Sequence, residues 1–181
     1  VQSVGLFVSD AAIPAVEDIV TGYLSLAVFY NPREASYADM ASKVLSVCER
    51  ATIPDGAPTK SRTHDIPVTY DGLDIYDVSM ALSLSVEDVI ERHAGRASSV
   101  DLIGCVPGWA YLSELDPALH LSRRAQPRTR VPAGSVAIAG AQTGVYPLAT
   151  PGGWHIIGRT DTAMFDPDRD PPAILRPGDT V

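Results

Sequence analysis

The sequence predicts an α+β protein, with a small α/β N-terminal domain followed by a larger domain of short strands. Three observations carry this. In the first third, a β-rich run is followed by a helical apolar stripe. A stretch rich in Pro, Gly, Ser and Thr, Thr52 to Asp65, then breaks all periodicity. From about Ser98 to Thr160 short apolar runs are punctuated by Gly and Pro, which suits a small barrel or sandwich. The boundary is placed between residues 58 and 59, giving domains 1–58 and 59–181.

Taken in order, "VGLFV" (Val4 to Val8) reads as a first strand and "AVEDIV" (Ala15 to Val20) as another. "YLSLAVFY" (Tyr23 to Tyr30) alternates and is rich in β-formers, so it is a strand. Ser36 caps a helix running to about Arg50. Its apolar positions Tyr37, Met40, Ala41, Val44, Leu45 and Cys48 form one stripe. Beyond the linker, "IPVTYDG" is a short strand ending in an Asp71-Gly72 turn. "LDIYDVSMALS" and "SVEDVIERH" are helices, the second capped by Ser85, with Glu87 and Asp88 early and His93 late, as the helix dipole prefers. "SVDLIGCV", "SVAIAG", "TGVYPL" and "WHIIGRT" are strands.

Composition narrows the function. Lys plus Arg is 14 against 22 for Asp plus Glu, a net charge of −8, which argues against a general nucleic-acid binder. No apolar run approaches the ~18 to 20 residues of a membrane span, and "VQSVGLFVSD" has no basic n-region of a secretory signal. The two cysteines, Cys48 and Cys105, belong to no CxxC pair, and no His sits at metal-ligand spacing from either. They are expected to be small buried apolar residues in a reducing, cytoplasmic protein, and no metal site is expected.

The chemistry concentrates late in the chain. Arg123, Arg124, Arg128 and Arg130 fall close together, and arginine suits bidentate capture of carboxylate or phosphate. The segment "PRTRVPAGSVAIAGAQTGVYP" (Pro127 to Pro147) combines stiffening prolines with glycines that allow close backbone approach, and with the polar pair Gln142-Thr143. "GCVPGWAYL" and "TPGGWHIIGRT" add aromatics beside glycine turns, either a pocket wall or core plugs. Glu114 and Asp116 are nearby carboxylates. No phosphate loop, GxSxG elbow or HExxH is present. The residues alone define a polar, arginine-bearing surface on a β domain, but no reaction.

Read together, "GCVPGWAYLSELDP" and "RRAQPRTRVPAGSVAIAGAQTGVYPLATPGGWHIIGRT" resemble the family of 5-oxoprolinase B subunits, also called allophanate hydrolase subunit 1 or Kip-type histidine-kinase inhibitors. "VTYDG", "SVEDVIERH" and the tail "MFDPDRDPPAILRPGDTV" are similar to it too, so the likeness runs from about Asp65 to Val181. The resemblance implies a C-terminal cyclophilin-like β-barrel, a carboxyltransferase subdomain. It also implies a larger partner, the C subunit, with related barrels, and a further A subunit. The set opens 5-oxoproline to glutamate with ATP, which is the nucleotide implied for the complex, and its substrate is a small anionic amide or lactam. Carried over by position, the substrate-binding or interface residues are His93, Pro107, Gly108, Tyr111, Arg124, Arg128, Thr129, Arg130, Gln142, Thr143, Tyr146, Trp154 and Arg159. The catalytic residue is not assigned. The arginines are expected to hold carboxylate or phosphate, and Gln142 with Thr143 to orient an amide or lactam.

This sequence departs from the family pattern at several points. Cys105 and Ser98 replace usual aromatics, Ser113-Glu114 replaces a glycine pair, and Ala141 replaces a glycine. The family has a helix between its first two strands. With Val4–Val8 read as a strand, no room is left for it, and the last strand is expected to run beyond Val181. The favoured expectation is an enzyme subunit, inactive alone, that completes an ATP-dependent 5-oxoprolinase or a related allophanate- or amide-processing complex. The alternative is a regulator that inhibits a sensor histidine kinase through its barrel. A third reading, prolyl isomerase activity, rests on fold alone.

Overall fold

In the computed structural model, residues 1–51 and 61–181 are described, and the chain divides into two compact units, Val1–Lys60 and Ser61–Val181. The proposed linker at Thr52–Asp65 and the boundary at 58/59 lie largely outside the described residues.

The first unit has the order α1 (Gln2–Asp10), β1 (Val16–Thr21), β2 (Leu26–Tyr30), α2 (Tyr37–Arg50). The two strands pair antiparallel, from Val16 opposite Tyr30 to Thr21 opposite Leu26. Ser36 caps α2 as expected, its side chain accepting a hydrogen bond from the Asp39 N–H at 3.2 Å. Met40 is buried with Val8, Ile13 and Ala35, and Val4, Val44, Val47 and Cys48 pack around them.

Val4–Val8 is a correction: it lies in a helix, not a strand. A strand would turn Val4, Leu6 and Val8 to one face. Here Val4 and Val8, one helical turn apart, meet the core while Leu6 is exposed. Tertiary packing has overridden β propensity in a run too short to distinguish the two periods. Helix α1 thus occupies the residues expected to form the first strand, and it precedes β1.

The second unit opens with an irregular segment, 61–74, and then α3 (Ile75–Leu82) and α4 (Val86–Ala94). The expected strand "IPVTYDG" is not a regular strand, because Pro67 removes a ladder donor. Only Thr63 and Thr69 form bridges, to Thr180 and Arg159. Gly72 is required where it stands: a Cβ there would run into the Ile157 and Gly158 backbone. α4 begins with a full capping box between Ser85 and Asp88.

The strands β3 (Val100–Ile103), β4 (Ala110–Leu112), β5 (Arg128–Val131), β6 (Ser135–Ala139), β7 (Gln142–Val145), β8 (Thr150–Gly152) and β9 (His155–Arg159) follow, with a 3₁₀ turn at Pro117–Leu119. Five form an antiparallel sheet in the order β3-β4-β7-β6-β9, and β5 pairs with β8. The regular strands leave a gap between β9 and β3. Isolated bridges cross it, from Arg159 to Thr69, from Thr63 to Thr180 and from Thr180 to Ser99.

Strand β6 is buried on both faces. Val136 and Ile138 join Leu112, Val145, Ile157 and the helix residues Val78 and Val89 in one core, while Ala137 and Ala139 face a second core of Trp109, Tyr146, Trp154 and Ile156. The expectation of two buried cysteines is corrected. Cys48 is half-buried, and Cys105 is exposed at a positive φ of 66°, on the turn after β3.

Candidate functional site

The first centre forms where α4, β7 and the 61–74 segment meet. His93, in the last turn of α4, places Nε2 2.7 Å from Thr143 Oγ1 and Nδ1 2.7 Å from the Tyr70 hydroxyl. The protons can be assigned from the partners. Thr143 Oγ1 donates to the Ala137 carbonyl at 3.1 Å, so toward His93 it accepts. His93 therefore carries its proton on Nε2, and Nδ1 accepts from the Tyr70 O–H. Burial pushes the His93 imidazole down to about 4 and the Tyr70 phenol up to about 12, so both are neutral near pH 7.

These three residues line a cleft of about 360 Å³. Leu112, Val136, Val145, Ile66 and Val68 supply apolar wall, and His64, Asp65, Arg96 and Ser98 supply polar groups. His64 is held by Asp179, a buried carboxylate that also accepts from the Arg62 guanidinium and from the Arg62 and Arg176 N–H groups. Within the triad every proton is spent. What remains to offer a ligand is acceptor capacity on the Tyr70 oxygen, so the cleft suits a small, partly apolar molecule bearing an N–H or O–H donor.

The second centre is Asp74, the residue before α3. It is 1% exposed, and its carboxylate accepts two bonds from the Arg128 fork (2.7 and 2.8 Å), one from Arg124 (2.7 Å) and one from the Ile156 N–H (2.7 Å). Burial raises this carboxyl, but the Arg128 fork, the Ile156 N–H and the charges of Arg128 and Arg124 outweigh it and hold it below the usual range. The carboxylate these two arginines hold is thus internal. Arg159 likewise engages Asp71, at 2.9 Å.

The aromatics assemble rather than line a void. Trp109 stacks edge-on with Tyr146 at 4.6 Å, Trp154 at 5.1 Å and Tyr111 at 5.7 Å between ring centres. Arg123 lies 6.0 Å over Trp154. Gly108, at φ +79°, turns the chain into β4 against Phe165, with Pro107 exposed beside it. Thr129 and Arg130 are exposed on β5.

The structure therefore brings His93 and Thr143 together, gathers Tyr111, Tyr146 and Trp154, and joins Arg124 to Arg128. It separates Gln142 from Thr143. Thr143 pairs with Ile138 and Gln142 with Ala139, so the pleat sends them to opposite faces. Sequence reasoning missed Tyr70, Asp74 and Arg96. A signal existed for Asp74, an acidic residue in the first turn of a predicted helix, but its partners lie 50 and 54 positions away.

A two-unit α+β protein of this topology, with a ligand-sized cleft in its strand-rich unit, has close structural counterparts. The chain belongs to the family described as carboxyltransferase domain, subdomain C and D, which it matches over residues 1–175. It is 41% identical over 172 residues to the 5-oxoprolinase B subunit of Escherichia coli O157:H7, covering 93% of this chain and 78% of that protein. It is 35% identical over 193 residues to the 5-oxoprolinase B subunit of Bacillus subtilis (strain 168), covering all of this chain and 80% of that one. The crystal structure of TTHA0988 superposes with a TM-score of 0.86 at 38% identity, over 99% of this chain. This chain spans only 35% of TTHA0988.

Proposed function

We propose that this chain is the B subunit of a heteromeric, ATP-dependent 5-oxoprolinase, acting with the larger C subunit. The observation that carries the reading is the 41% identity to a 5-oxoprolinase B subunit over nearly the whole chain. The cleft is consistent with it. A five-membered lactam is small and mostly apolar, and its N–H can donate to the Tyr70 oxygen. The carboxylate of the same molecule is matched by Arg96 at the rim.

ATP is assigned to the complex rather than to this chain. The glycine turns of the arginine-bearing segment, at Gly134, Gly140 and Gly153, lead into strands, not helices, and Arg124 and Arg128 are committed to Asp74. The described residues thus fit a protein that binds and orients substrate within a larger assembly.

The test is co-expression with the C subunit and, where required, the A subunit, followed by an ATP-dependent 5-oxoproline assay. The assembled set turns over and the isolated chain does not. Tyr70→Phe keeps the complex but lowers turnover about 10-fold or more, as loss of one buried hydrogen-bonding group costs on the order of 1–3 kcal/mol. Turnover by the isolated chain removes the dependence on partners. Absence of any complex or of 5-oxoproline turnover refutes the assignment.

A further inference from the structure

Two histidines line the cleft, and the fold treats them differently. His93 has both ring nitrogens engaged, one by Thr143 and one by Tyr70. His64 has only Nε2 engaged, 2.9 Å from Asp179 Oδ2. Among the described residues nothing bonds its Nδ1, and the side chain keeps 20% exposure.

The His64 proton can be placed from Asp179. This carboxylate is 2% exposed and accepts from His64, from the Arg62 guanidinium at 3.0 Å, from the Arg62 N–H at 3.1 Å and from the Arg176 N–H at 3.0 Å. Burial raises the carboxyl, but these bonds outweigh it and hold it below the usual range, so it is ionised near pH 7. An ionised carboxylate only accepts. His64 Nε2 therefore donates, and the lone pair is left on Nδ1. The Asp179 backbone is itself pinned to β3, its carbonyl accepting from the Val100 N–H at 2.9 Å. A ring nitrogen left as acceptor, with a buried and anchored carboxylate on the other nitrogen, is the arrangement of a histidine base.

We infer that His64 is the general base that activates water against the lactam carbonyl in this cleft. The inference rests on the function proposed above and supplies the base that reading lacks. The water O–H bond breaks and its proton goes to Nδ1, while the water oxygen bonds to the carbonyl carbon. The ring C–N bond then breaks, its electron pair goes to nitrogen, and the imidazolium returns the proton there. One water is consumed, an amine and a carboxylic acid are formed, and His64 is neutral again. ATP, handled by the rest of the complex, drives the opening. His93 is unsuited to this role, because the Tyr70 O–H occupies its lone pair.

The experiment uses the assembled complex with 5-oxoproline and ATP, comparing wild type with His64→Gln and His64→Ala. Glutamine keeps an amide N–H₂ for Asp179 but has no basic nitrogen. Both variants are first checked for an unchanged thermal midpoint as the isolated chain. The expected result for His64→Gln is normal assembly, a KM close to wild type and a kcat lowered about 100-fold or more, the lower end of the effect of a general base. Added imidazole is expected to raise the turnover of His64→Ala about 10-fold or more, by standing in for the missing base. A kcat for His64→Gln close to wild type overturns the inference and leaves the proposed function standing. A loss that imidazole does not restore also overturns it, since His64 is then a structural tie to Asp179. If the wild-type complex does not turn over 5-oxoproline, both the proposed function and the inference fall.

Discussion

Asp74 shows how much one buried side chain can determine. Its two oxygens take four hydrogen bonds from three separate parts of the chain, so the start of α3, the arginine segment and β9 meet at a single carboxylate. Asp74→Asn removes the charge and turns an amide N–H₂ toward guanidinium donors. The expected cost is about 3 kcal/mol, the lower end for breaking a buried ion pair, because both arginine side chains keep partial contact with solvent, at 29% and 22% exposure. The pH dependence follows from the direction of the shift. The folded carboxyl lies below its unfolded value, so the unfolded chain binds the extra proton as pH falls. The stabilisation is complete above the ordinary carboxylate range and is lost on acidification through the folded value. Urea unfolding at pH 7 and at progressively lower pH should show the gap between wild type and variant closing below about pH 4. At the same scale, Glu114 occupies a positive φ of 67°. This is the left-handed region that favours glycine, so Glu114→Gly should be tolerated in the turn.

Among the elements, α4 has the clearest link from sequence to site. Ser85 and Asp88 start it, and its buried Val89 orients it on the core. The 3.6-residue period then delivers His93 to the barrel side, four residues further on. There the Tyr70–His93–Thr143 line ties helix, irregular segment and β7 together. His93 is held well below its unfolded value near 6.5, at about 4. Between these values the unfolded chain binds a proton that the folded chain refuses, so stability falls as pH drops from about 6.5 to 4. The amplitude is on the order of 3 kcal/mol at most, from ~1.4 kcal/mol per pH unit. Denaturation midpoints across that range should show this slope in wild type. The slope should flatten in His93→Gln, which keeps a polar group without the titration. An unchanged slope in the variant means that another group is responsible.

For the whole molecule, the separate hydrophobic clusters support a two-domain organisation. Val8, Ile13, Ala35 and Met40 form one cluster within the first unit, while both clusters of the second unit draw only on residues beyond 61. The fragment Ser61–Val181 is proposed to fold alone. It should unfold in one cooperative urea transition and retain the near-ultraviolet signal of Trp109 and Trp154, which pack against each other. A fragment without fixed aromatic packing shows that the first unit is needed to complete the fold. No described helix is long and apolar enough to cross a membrane.

Local chemistry was legible wherever it is written in consecutive residues. The caps at Ser36 and Ser85, the stripe of α2, the Gly and Pro punctuation and the buried β6 all follow from near neighbours, and so the α+β class was readable from sequence. Val4–Val8 was not, because five largely apolar residues satisfy both a strand and one face of a helix, and only contact with α2 chooses between them. Of the cleft and the buried carboxylate, His93, Thr143, Arg124 and Arg128 were legible as residues, whereas Tyr70, Asp74, Arg96 and the arrangement of them all were not. The pleat of β7 divides Gln142 from Thr143, and the fold assigns Arg124 and Arg128 to Asp74, far away in the chain. Tyr70 joins His93 only because the segment that carries it spans the gap between β9 and β3. Composition and spacing name the groups able to bind a charge or share a proton. Which of them meet is decided by long-range packing, because hydrogen bonds and ion pairs act over a few ångströms of space, whatever their separation along the chain.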